Sequence, residues 1–311
     1  FIGYHLTKKI LNKNKKVIGV DNINNYYDTG LKKDRINNLK KSKKFSFYKI
    51  DLSNYKKLND IVKKNKINII IHLAAQAGVR YSIKYPRTYF KSNLEGFFNI
   101  LEISKDNKIK HLIYASTSSV YGDSNKFPLK ENDRTDQPLS FYAATKKSNE
   151  VMGHSYSSLY KLPITVLRLF TVYGPFGRPD MSLFQFVKKI KNKKNIYLFN
   201  KGNHHRDFTY VDHVVFAIKD IIKKIPNKKI PFRVLNIGSS NPVSLKKYVK
   251  IIEKILGIKA KKKLLNLQKG DVIKTYASLK ETKKIIKNYE PTTNINLGIK
   301  KFVEWYLDFY K

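Results

Sequence analysis

The sequence predicts an α/β fold in which a doubly wound parallel sheet carries a smaller α/β unit. Two observations lead to this prediction. In the first half of the chain, short apolar segments rich in β-branched residues alternate with longer amphipathic segments, as strands and helices do in parallel sheets. After Gly174 the pattern changes to separate amphipathic segments joined by short strand-like runs. No flexible linker separates the two patterns, so the second unit is expected to be built directly onto the sheet.

The predicted elements follow one another in a regular order. Buried strands are predicted at 16–20, 45–50, 68–73, 111–116 and 163–169. Helices are predicted at 3–12, 55–64, 86–104, 141–160, 181–191, 211–225, 244–256 and 294–310. We assign 1–172 to the larger unit, to which 208–236 returns, and 173–207 with 237–311 to the smaller one.

Composition excludes several classes of protein. The 311 residues include no cysteine, which excludes disulfides, thiolate metal sites and a cysteine nucleophile, and we expect no metal site. The net charge of +40 comes from 55 lysines and only 8 arginines, and the lysines are spread along the whole chain. Nucleic-acid-binding proteins usually concentrate both residue types on one face. We therefore interpret the charge as a compositional bias and expect neither a nucleic-acid nor a membrane partner. Without a secretory signal or a long apolar stretch, a soluble cytoplasmic protein is expected.

The chain begins Phe1-Ile2-Gly3 and enters a predicted helix at once. A sheet that binds a dinucleotide starts with a strand and a glycine-rich turn before its first helix. We therefore expect that a first strand is missing and that Gly3 is the last glycine of such a turn; the alternative is an ordinary helix-start glycine. Asp21 ends the next strand about 18 residues later, near the spacing at which a carboxylate binds an adenosine ribose.

The strongest catalytic signal is the pair Tyr142 and Lys146, because residues four apart lie on one face of a helix. A free phenol has a pKa of about 10, and a nearby ammonium favours the phenolate, so Tyr142 is a candidate base. Such a pair is common by chance in a chain with 21 Tyr. Thr117 adds weight, because it follows the strand at 111–116 and its hydroxyl can bond the substrate oxygen that Tyr142 deprotonates.

In this order, the motifs resemble the extended short-chain dehydrogenase/reductase family, whose fold is the Rossmann fold. The residues that carry the resemblance are Phe1-Ile2-Gly3, Asp21, His72-Leu-Ala-Ala75, Asn93, Thr117 and Tyr142 with Lys146. Three segments are similar to the UDP-glucuronate 4-epimerases within that family: 72–81, 171–181 and 206–212. The chain departs from the pattern at Phe176, where an indole is common, and at His213, where an acid is common.

The resemblance implies a set of binding residues. For the cofactor, NAD, it implies Gly3, Asp21, Asn22, Asp51, Leu52, Ala74, Ala75 and Asn93, together with Tyr142 and Lys146. For a UDP-sugar it implies Thr117, Ser118, Ser119, Thr171, Arg178, Tyr197, Phe199, Arg206 and Asp271. Among these, Tyr197 and Phe199 would flank uracil, Arg206 would pair with the diphosphate and Asp271 would lie near the uridine end.

The implied activity is the NAD-dependent C4 epimerisation of UDP-glucuronate to UDP-galacturonate through a 4-keto intermediate. A homodimer that pairs through the helices at 86–104 and 141–160 is also implied. Ser118 and Ser119 stand where related dehydratases and decarboxylases carry carboxylates, so elimination is disfavoured. Arg178 favours a uronic acid, because a guanidinium can bind a carboxylate through two hydrogen bonds.

Two alternatives stay open. The chain could be a UDP-glucose or UDP-N-acetylglucosamine 4-epimerase, since that activity uses the same Tyr and Lys. It could instead be a non-catalytic remnant that binds nucleotides or polyanions. Such a remnant would be expected to lose Tyr142, Lys146 or Thr117, and all three are present.

Overall fold

A four-stranded parallel sheet lies at the centre of the computed structural model, which describes residues 1–311. The strands are β1 (Val17–Asp21), β2 (Phe45–Lys49), β3 (Ile69–His72), β4 (His111–Thr117), β5 (Ile164–Leu169), β6 (Thr171–Tyr173), β7 (Ile196–Leu198), β8 (His205–Tyr210), β9 (Phe232–Ile237), β10 (Pro242–Ser244) and β11 (Lys262–Leu264). The helices are α1 (Ile2–Leu11), α2 (Thr29–Lys40), α3 (Tyr55–Lys64), α4 (Val79–Lys84), α5 (Pro86–Tyr89), α6 (Gly96–Asp106), α7 (Phe141–Tyr160), α8 (Ser182–Lys191), α9 (Val211–Ile221), α10 (Leu245–Leu256), α11 (Lys280–Ile285) and α12 (Ile295–Phe309). A π-helical turn, Phe90–Glu95, joins α5 to α6.

The central sheet has the strand order β3-β4-β5-β9, and its strands all run parallel. β1 and β2 form a separate parallel pair. The predicted α/β fold with a parallel sheet is confirmed, and each of the five predicted strands is present within one or two residues of its expected bounds. The expectation of a further strand before α1 stays a prediction.

Helices cover both faces of the central sheet, because the side chains of a strand point alternately to the two faces. Ile113 of β4 and Leu167 of β5 pack with the apolar side chains of α1 and α9 on one face. Leu112 of β4 and Val166 of β5 pack with those of α3 and α6 on the other. This alternation makes the sheet doubly wound.

Two further sheets, with the orders β10-β8-β6 and β11-β7, lie in the part of the chain predicted to form the smaller unit. The core beside them is rich in aromatic rings, and the ring of Phe208 stacks on that of Tyr248 with centroids 4.1 Å apart. The predicted boundary at residue 208 falls inside β8, which pairs with β6 on one side and with β10 on the other. The division into two units stays a prediction.

The sequence did not predict α2. Its buried positions are Leu31, Arg35 and Leu39, which are spaced four apart as on one helical face, but the arginine in the middle hides the apolar pattern. The guanidinium of Arg35 donates hydrogen bonds to the hydroxyl of Tyr27 at 2.9 Å and to the carbonyl of Phe176 at 2.5 Å. No helix of the protein combines the length and the hydropathy needed to cross a membrane.

Candidate active site

Tyr142 and Thr117 meet where α7 begins and β4 ends. α7 is capped by Ser140, whose hydroxyl accepts the N–H of Ala143 at 3.2 Å, so Tyr142 lies in the first helical turn. Thr117 is the last residue of β4, and its hydroxyl oxygen accepts the N–H of Ser119 at 3.2 Å. The Thr117 hydroxyl also lies beside the Tyr142 phenol. The structure therefore brings these two predicted residues together.

Burial raises the pKa of Tyr142, while Arg178 and the hydrogen bond from Thr117 act to lower it. Arg178 is thus one cation that favours the phenolate, and the role of Lys146 beside the phenol stays a prediction. The ammonium of Lys146 donates a hydrogen bond to the carbonyl of Ala115 at 2.8 Å. Burial lowers the pKa of Lys146 to about 8, and the carboxylate of Glu150 opposes that shift.

Arg178 is held in place by Asp180, two residues further along the chain. Its Nε donates to Asp180 Oδ1 at 3.0 Å, and its Nη2 donates to Asp180 Oδ2. The phenol of Tyr26 donates to the same Oδ2 at 3.2 Å. Three guanidinium N–H groups of Arg178 have no hydrogen-bond partner in the protein, so the side chain is oriented and can still receive an anion.

A buried charge network lies beneath the Tyr142 end of the site. Glu150 accepts hydrogen bonds from the hydroxyl of Ser116 at 2.6 Å and from the Nε and Nη2 atoms of Arg168 at 3.0 and 2.8 Å. The side chains of Glu150 and Arg168 are 4% and 3% exposed, respectively. This network fixes β4 and β5 against α7, the helix that carries Tyr142 and Lys146. The sequence analysis missed Glu150, although its position four residues after Lys146 on the same helical face could have indicated it.

A cavity of about 150 Å³ forms the other end of the site. Five predicted substrate residues line it: Ser118, Ser119, Thr171, Arg206 and Asp271. The remaining lining residues are Val79, Leu139, Ser140, Gly270, Val272 and Thr275. Thr171 also borders a second, smaller cavity that Arg178 lines, so the two cavities are neighbours.

Asp271 lies between two arginines in this cavity. Its carboxylate oxygens are 3.5 Å from Arg206 Nη2 and 3.4 Å from Arg80 Nη2. The guanidinium of Arg80 also lies over the ring of Phe199, with 4.3 Å from its Cζ to the ring centroid. Tyr197 is 41% exposed, and its ring contacts Lys189, with the Nζ 4.5 Å from the centroid. Phe199 thus joins the arginine cluster, and Tyr197 shows no contact with it.

The predicted cofactor residues lie at the carboxyl ends of β1, β2 and β3. Asn22 donates to the carboxylate of Asp51 at 2.8 Å and so ties the end of β1 to the end of β2. Burial acts to raise the pKa of Asp51, but the hydrogen bonds from Asn22 and Ser53 outweigh it and hold the pKa below its usual value. Asp21 is exposed, and only one of its oxygens is used, to accept the N–H of Ile23 at 2.7 Å.

Asn93 fixes the loop that follows β3. Its amide accepts the N–H of Gln76 at 2.8 Å and donates to the carbonyl of Gln76 at 3.0 Å and to the hydroxyl of Thr145 at 3.1 Å. These bonds hold the loop containing Ala74 and Ala75 against α7. The side chain of Asn93 is therefore used to position the backbone of this loop.

Gly3 and Leu52 lie at the margins of this region. Gly3 is in the first turn of α1, and a Cβ there would lie 3.9 Å from Leu73 Cδ1. The carbonyl of Leu52 accepts a hydrogen bond from the side chain of Asn99 at 2.8 Å. Both residues therefore adjoin the ends of β2 and β3, where the other cofactor residues gather.

Comparison with known proteins decides the family. Residues 1–238 match the model of the NAD dependent epimerase/dehydratase family. The chain belongs to this family. Its members with similar sequences include Protein CapI of Staphylococcus aureus, which is 50% identical over all of this chain and 97% of its own length. The UDP-glucuronate 4-epimerase of Thermodesulfobacterium geofontis is 44% identical over 98% of this chain and 93% of its own.

Solved structures of this family are similar along the whole chain. The UDP-glucuronic acid 4-epimerase of Bacillus cereus, crystallised with UDP-glucuronic acid and NAD, has a TM-score of 0.93 and 32% sequence identity. The alignment covers all of this chain and 97% of that one. The UDP-glucose 4-epimerase of Thermotoga maritima, crystallised with UDP-glucose, has a TM-score of 0.88 and 28% identity, with the same coverage.

The buried ammonium of Lys146 tests whether the site suits the NAD of this family. Lys146 is 3% exposed, yet its three N–H groups have only one partner, the carbonyl of Ala115. Two donors therefore remain for the hydroxyls of a ribose. Asp21 offers a free carboxylate oxygen at the end of β1 for a second ribose. These donors and acceptors fit a dinucleotide.

Proposed function

We propose that this enzyme interconverts UDP-glucuronate and its C4 epimer, UDP-galacturonate, with NAD as a retained cofactor. The observation that carries the proposal is the geometry of the cleft that we infer from the two neighbouring cavities. A phenol, a hydroxyl and an oriented arginine lie at one end, and a cavity lined by Arg206 and Asp271, with Arg80 beside Asp271, lies at the other. The sequence similarity to proteins named UDP-glucuronate 4-epimerase supports the same substrate.

The chemistry that NAD would supply when bound is the acceptance of a hydride from C4 of the sugar and its return to the other face of the keto sugar. Lys146 would hold the nicotinamide ribose, and Asp21 with Asn22 would hold the adenosine ribose. The charge of Asp21 favours NAD over NADP, because it repels a 2′-phosphate. Ala74 and Ala75 supply the small side chains that let the backbone approach the cofactor.

Tyr142 accepts the proton of the sugar 4-hydroxyl and later gives it back. In the free protein burial favours the neutral phenol, and Arg178 and Thr117 oppose that effect. The phenol first releases its proton to solvent, and the resulting phenolate then takes the proton of the 4-hydroxyl. Thr117 orients the 4-oxygen toward the phenol. Ser140 and the Glu150–Arg168 pair hold α7 and β4 in place, so Tyr142 and Thr117 stay aligned during both the oxidation of C4 and its reduction.

Arg178 has a second task, because the ketone formed at C4 is β to the C6 carboxylate. Loss of CO₂ is fastest when the breaking C–C bond is perpendicular to the carbonyl plane. An arginine that binds the carboxylate, with help from Ser118 and Ser119, holds it away from that geometry. Asp180 keeps the guanidinium in one orientation, so the same restraint applies when either face of the sugar is presented.

The cavity end holds the UDP group. Arg206 would pair with the diphosphate, since its guanidinium is fixed by a hydrogen bond to the carbonyl of Ile273 at 2.9 Å. Phe199 and Tyr197 would flank uracil, and Asp271 would lie toward the ribose. An anchor at this end lets the keto sugar rotate while the nucleotide stays in place.

We also propose a homodimer. Nine of the 18 exposed large apolar side chains lie between α4 and α7: Ile83, Tyr85, Phe90, Phe98, Leu139, Phe141, Val151, Leu159 and Tyr160. Such a concentration of apolar surface suits a second copy of the chain. Phe98→Glu and Val151→Glu should yield monomers in analytical ultracentrifugation. Leu264→Glu, at a position as exposed as Val151, is the matched control and should leave the dimer intact. A monomeric native protein would contradict this proposal.

The activity is tested by incubating the protein with NAD and either UDP-glucuronate or UDP-glucose, and following products by ¹H NMR. We expect the C4 epimer of UDP-glucuronate without a 4-keto-pentose, and slower conversion of UDP-glucose. Faster conversion of UDP-glucose would make the enzyme a UDP-glucose 4-epimerase. The absence of both reactions would contradict the proposed function.

A further inference from the structure

His204 is a buried histidine beside the proposed diphosphate site and takes no part in the mechanism above. It lies just before β8 and is 4% exposed. Its Nε2 is buried without a hydrogen-bond partner and lies 3.9 Å from Asp271 Oδ2. The groups that face the ring are the carboxylate of Asp271, the guanidinium groups of Arg206 and Arg80, and the backbone carbonyl of Phe199.

The carboxylate of Asp271 faces the side chains of two arginines and one histidine, and it lies at least 3.4 Å from each of them. Its distances to Arg80, Arg206 and His204 are 3.4, 3.5 and 3.9 Å. Charge-assisted hydrogen bonds are usually about 2.7–2.9 Å long. The carboxylate therefore occupies the place between the arginines without a strong bond to any partner. A diphosphate that binds Arg206 would compete with it for the same guanidinium.

We propose that His204 becomes the partner of Asp271 when a UDP-sugar occupies Arg206, and that it takes up a proton from solvent as it does so. The inference rests on the proposed function. The proton binds to Nε2, which then donates a hydrogen bond to the carboxylate of Asp271. The diphosphate replaces Asp271 as the counter-ion of Arg206, and each buried charge keeps an opposite charge beside it.

The direction of the pH effect follows from the charges around His204. In the free protein, burial lowers the pKa of His204, with Arg206 and Arg80 also lowering it, while Asp271 and the carbonyl of Phe199 act to raise it. A bound diphosphate adds negative charge and offsets the two arginines, so the pKa rises on binding. Binding then takes up a proton between the free-state and bound-state pKa values. Affinity is highest below the free-state pKa, falls as pH rises from that value to the bound-state pKa, and levels off above it.

Calorimetry of UDP-glucuronate binding tests the inference. The titrations use NAD-loaded Tyr142→Phe protein, which prevents turnover, in two buffers of different ionisation enthalpy at each of several pH values from about 5 to about 7, so that the interval between the two pKa values is covered. The substrate suits the test because its diphosphate and carboxylate do not titrate in this range. We expect uptake of a substantial fraction of one proton and an affinity that falls by up to about tenfold per pH unit. Adding His204→Gln should abolish both, whereas adding His205→Gln, at an exposed neighbour, should abolish neither.

Two outcomes would overturn the inference while leaving the proposed function intact: epimerisation without proton uptake on binding, or equal uptake in the His204→Gln protein. Failure of UDP-glucuronate to bind would overturn both. If His204→Gln does not fold, NMR of the native protein with ¹³C-labelled histidine is decisive, since the chain has only 7 histidines. One buried histidine should titrate at a higher pH when UDP-glucuronate is bound, and an unchanged set of pKa values would contradict the inference.

Discussion

The Tyr142 end of the cleft and the Arg206 end hold their charges in different ways. At the first, Arg168 and Glu150 form a bidentate pair at 2.8–3.0 Å with less than 5% exposure, and Arg178 binds Asp180 through two nitrogens. At the second, Asp271 lies 3.4–3.5 Å from its two arginines and is 23% exposed.

The difference matches what each end has to do in the proposed function. A base and a carboxylate clamp must be in place before the reaction starts, since errors of an ångström cost much of the rate. An arginine that binds a diphosphate must give up its counter-ion within the protein when the ligand arrives. This exchange costs less free energy when the internal ion pair is loosely held. The molecule therefore combines a rigid reacting end with an adaptable binding end.

The largest effect is expected from Tyr142→Phe, which removes the base at the rigid end. Turnover should fall by on the order of 10²–10⁴, the usual contribution of a positioned general base. Steady-state kinetics with UDP-glucuronate measure the loss. Near-normal turnover would show that another residue acts as the base.

The next largest effect is on protein stability, and it should differ between the two ends of the cleft. Glu150→Gln leaves Arg168 buried without its counter-ion and should lower the free energy of unfolding by about 3 kcal/mol. Asp271→Asn, at the looser end, should cost less than about 1 kcal/mol. Urea unfolding of both proteins gives the comparison. Equal losses would mean that the two ends are equally rigid.

Arg178→Ala tests whether Arg178 binds the carboxylate of the substrate. It should lower kcat/KM for UDP-glucuronate by about 10–100-fold, the usual range for a lost charged hydrogen bond, while UDP-glucose, which has no carboxylate, should change less. Product analysis should also reveal CO₂ and a 4-keto-pentose. If discrimination between the substrates is unchanged and no CO₂ is released, Arg178 serves only to pair with Asp180.

Thr117→Val should have the smallest effect. It removes one oriented hydrogen bond, worth about 1 kcal/mol, so kcat should fall by roughly tenfold or less. Thr117→Ser keeps the hydroxyl and serves as the control, which should retain most of the native kcat. A loss as large as that of Tyr142→Phe would assign Thr117 a direct part in proton transfer.

Sequence reasoning predicted the order of the main elements correctly, and it named Tyr142 and Thr117, which the structure brings together, because both predictions depend on local patterns. Strand–helix alternation and the four-residue spacing of Tyr142 and Lys146 can be read without a structure. The counter-ions were missed. Asp180 and Glu150 lie close in sequence to their partners, so their spacing could have indicated the ion pairs. No sequence pattern indicates the contact of His204, because its neighbour Asp271 is 67 residues away and only the fold brings them together.

The roles of the two ends are tested most directly by calorimetric titration of UDP into the native, Tyr142→Phe and Arg206→Gln proteins at one pH. UDP lacks the sugar, so only the binding end should determine its affinity. Tyr142→Phe should bind UDP within about twofold of the native protein, and Arg206→Gln should bind it at least about tenfold more weakly. Equal losses in the two variants, or native affinity in Arg206→Gln, would contradict the division of the cleft into a reacting end and a binding end.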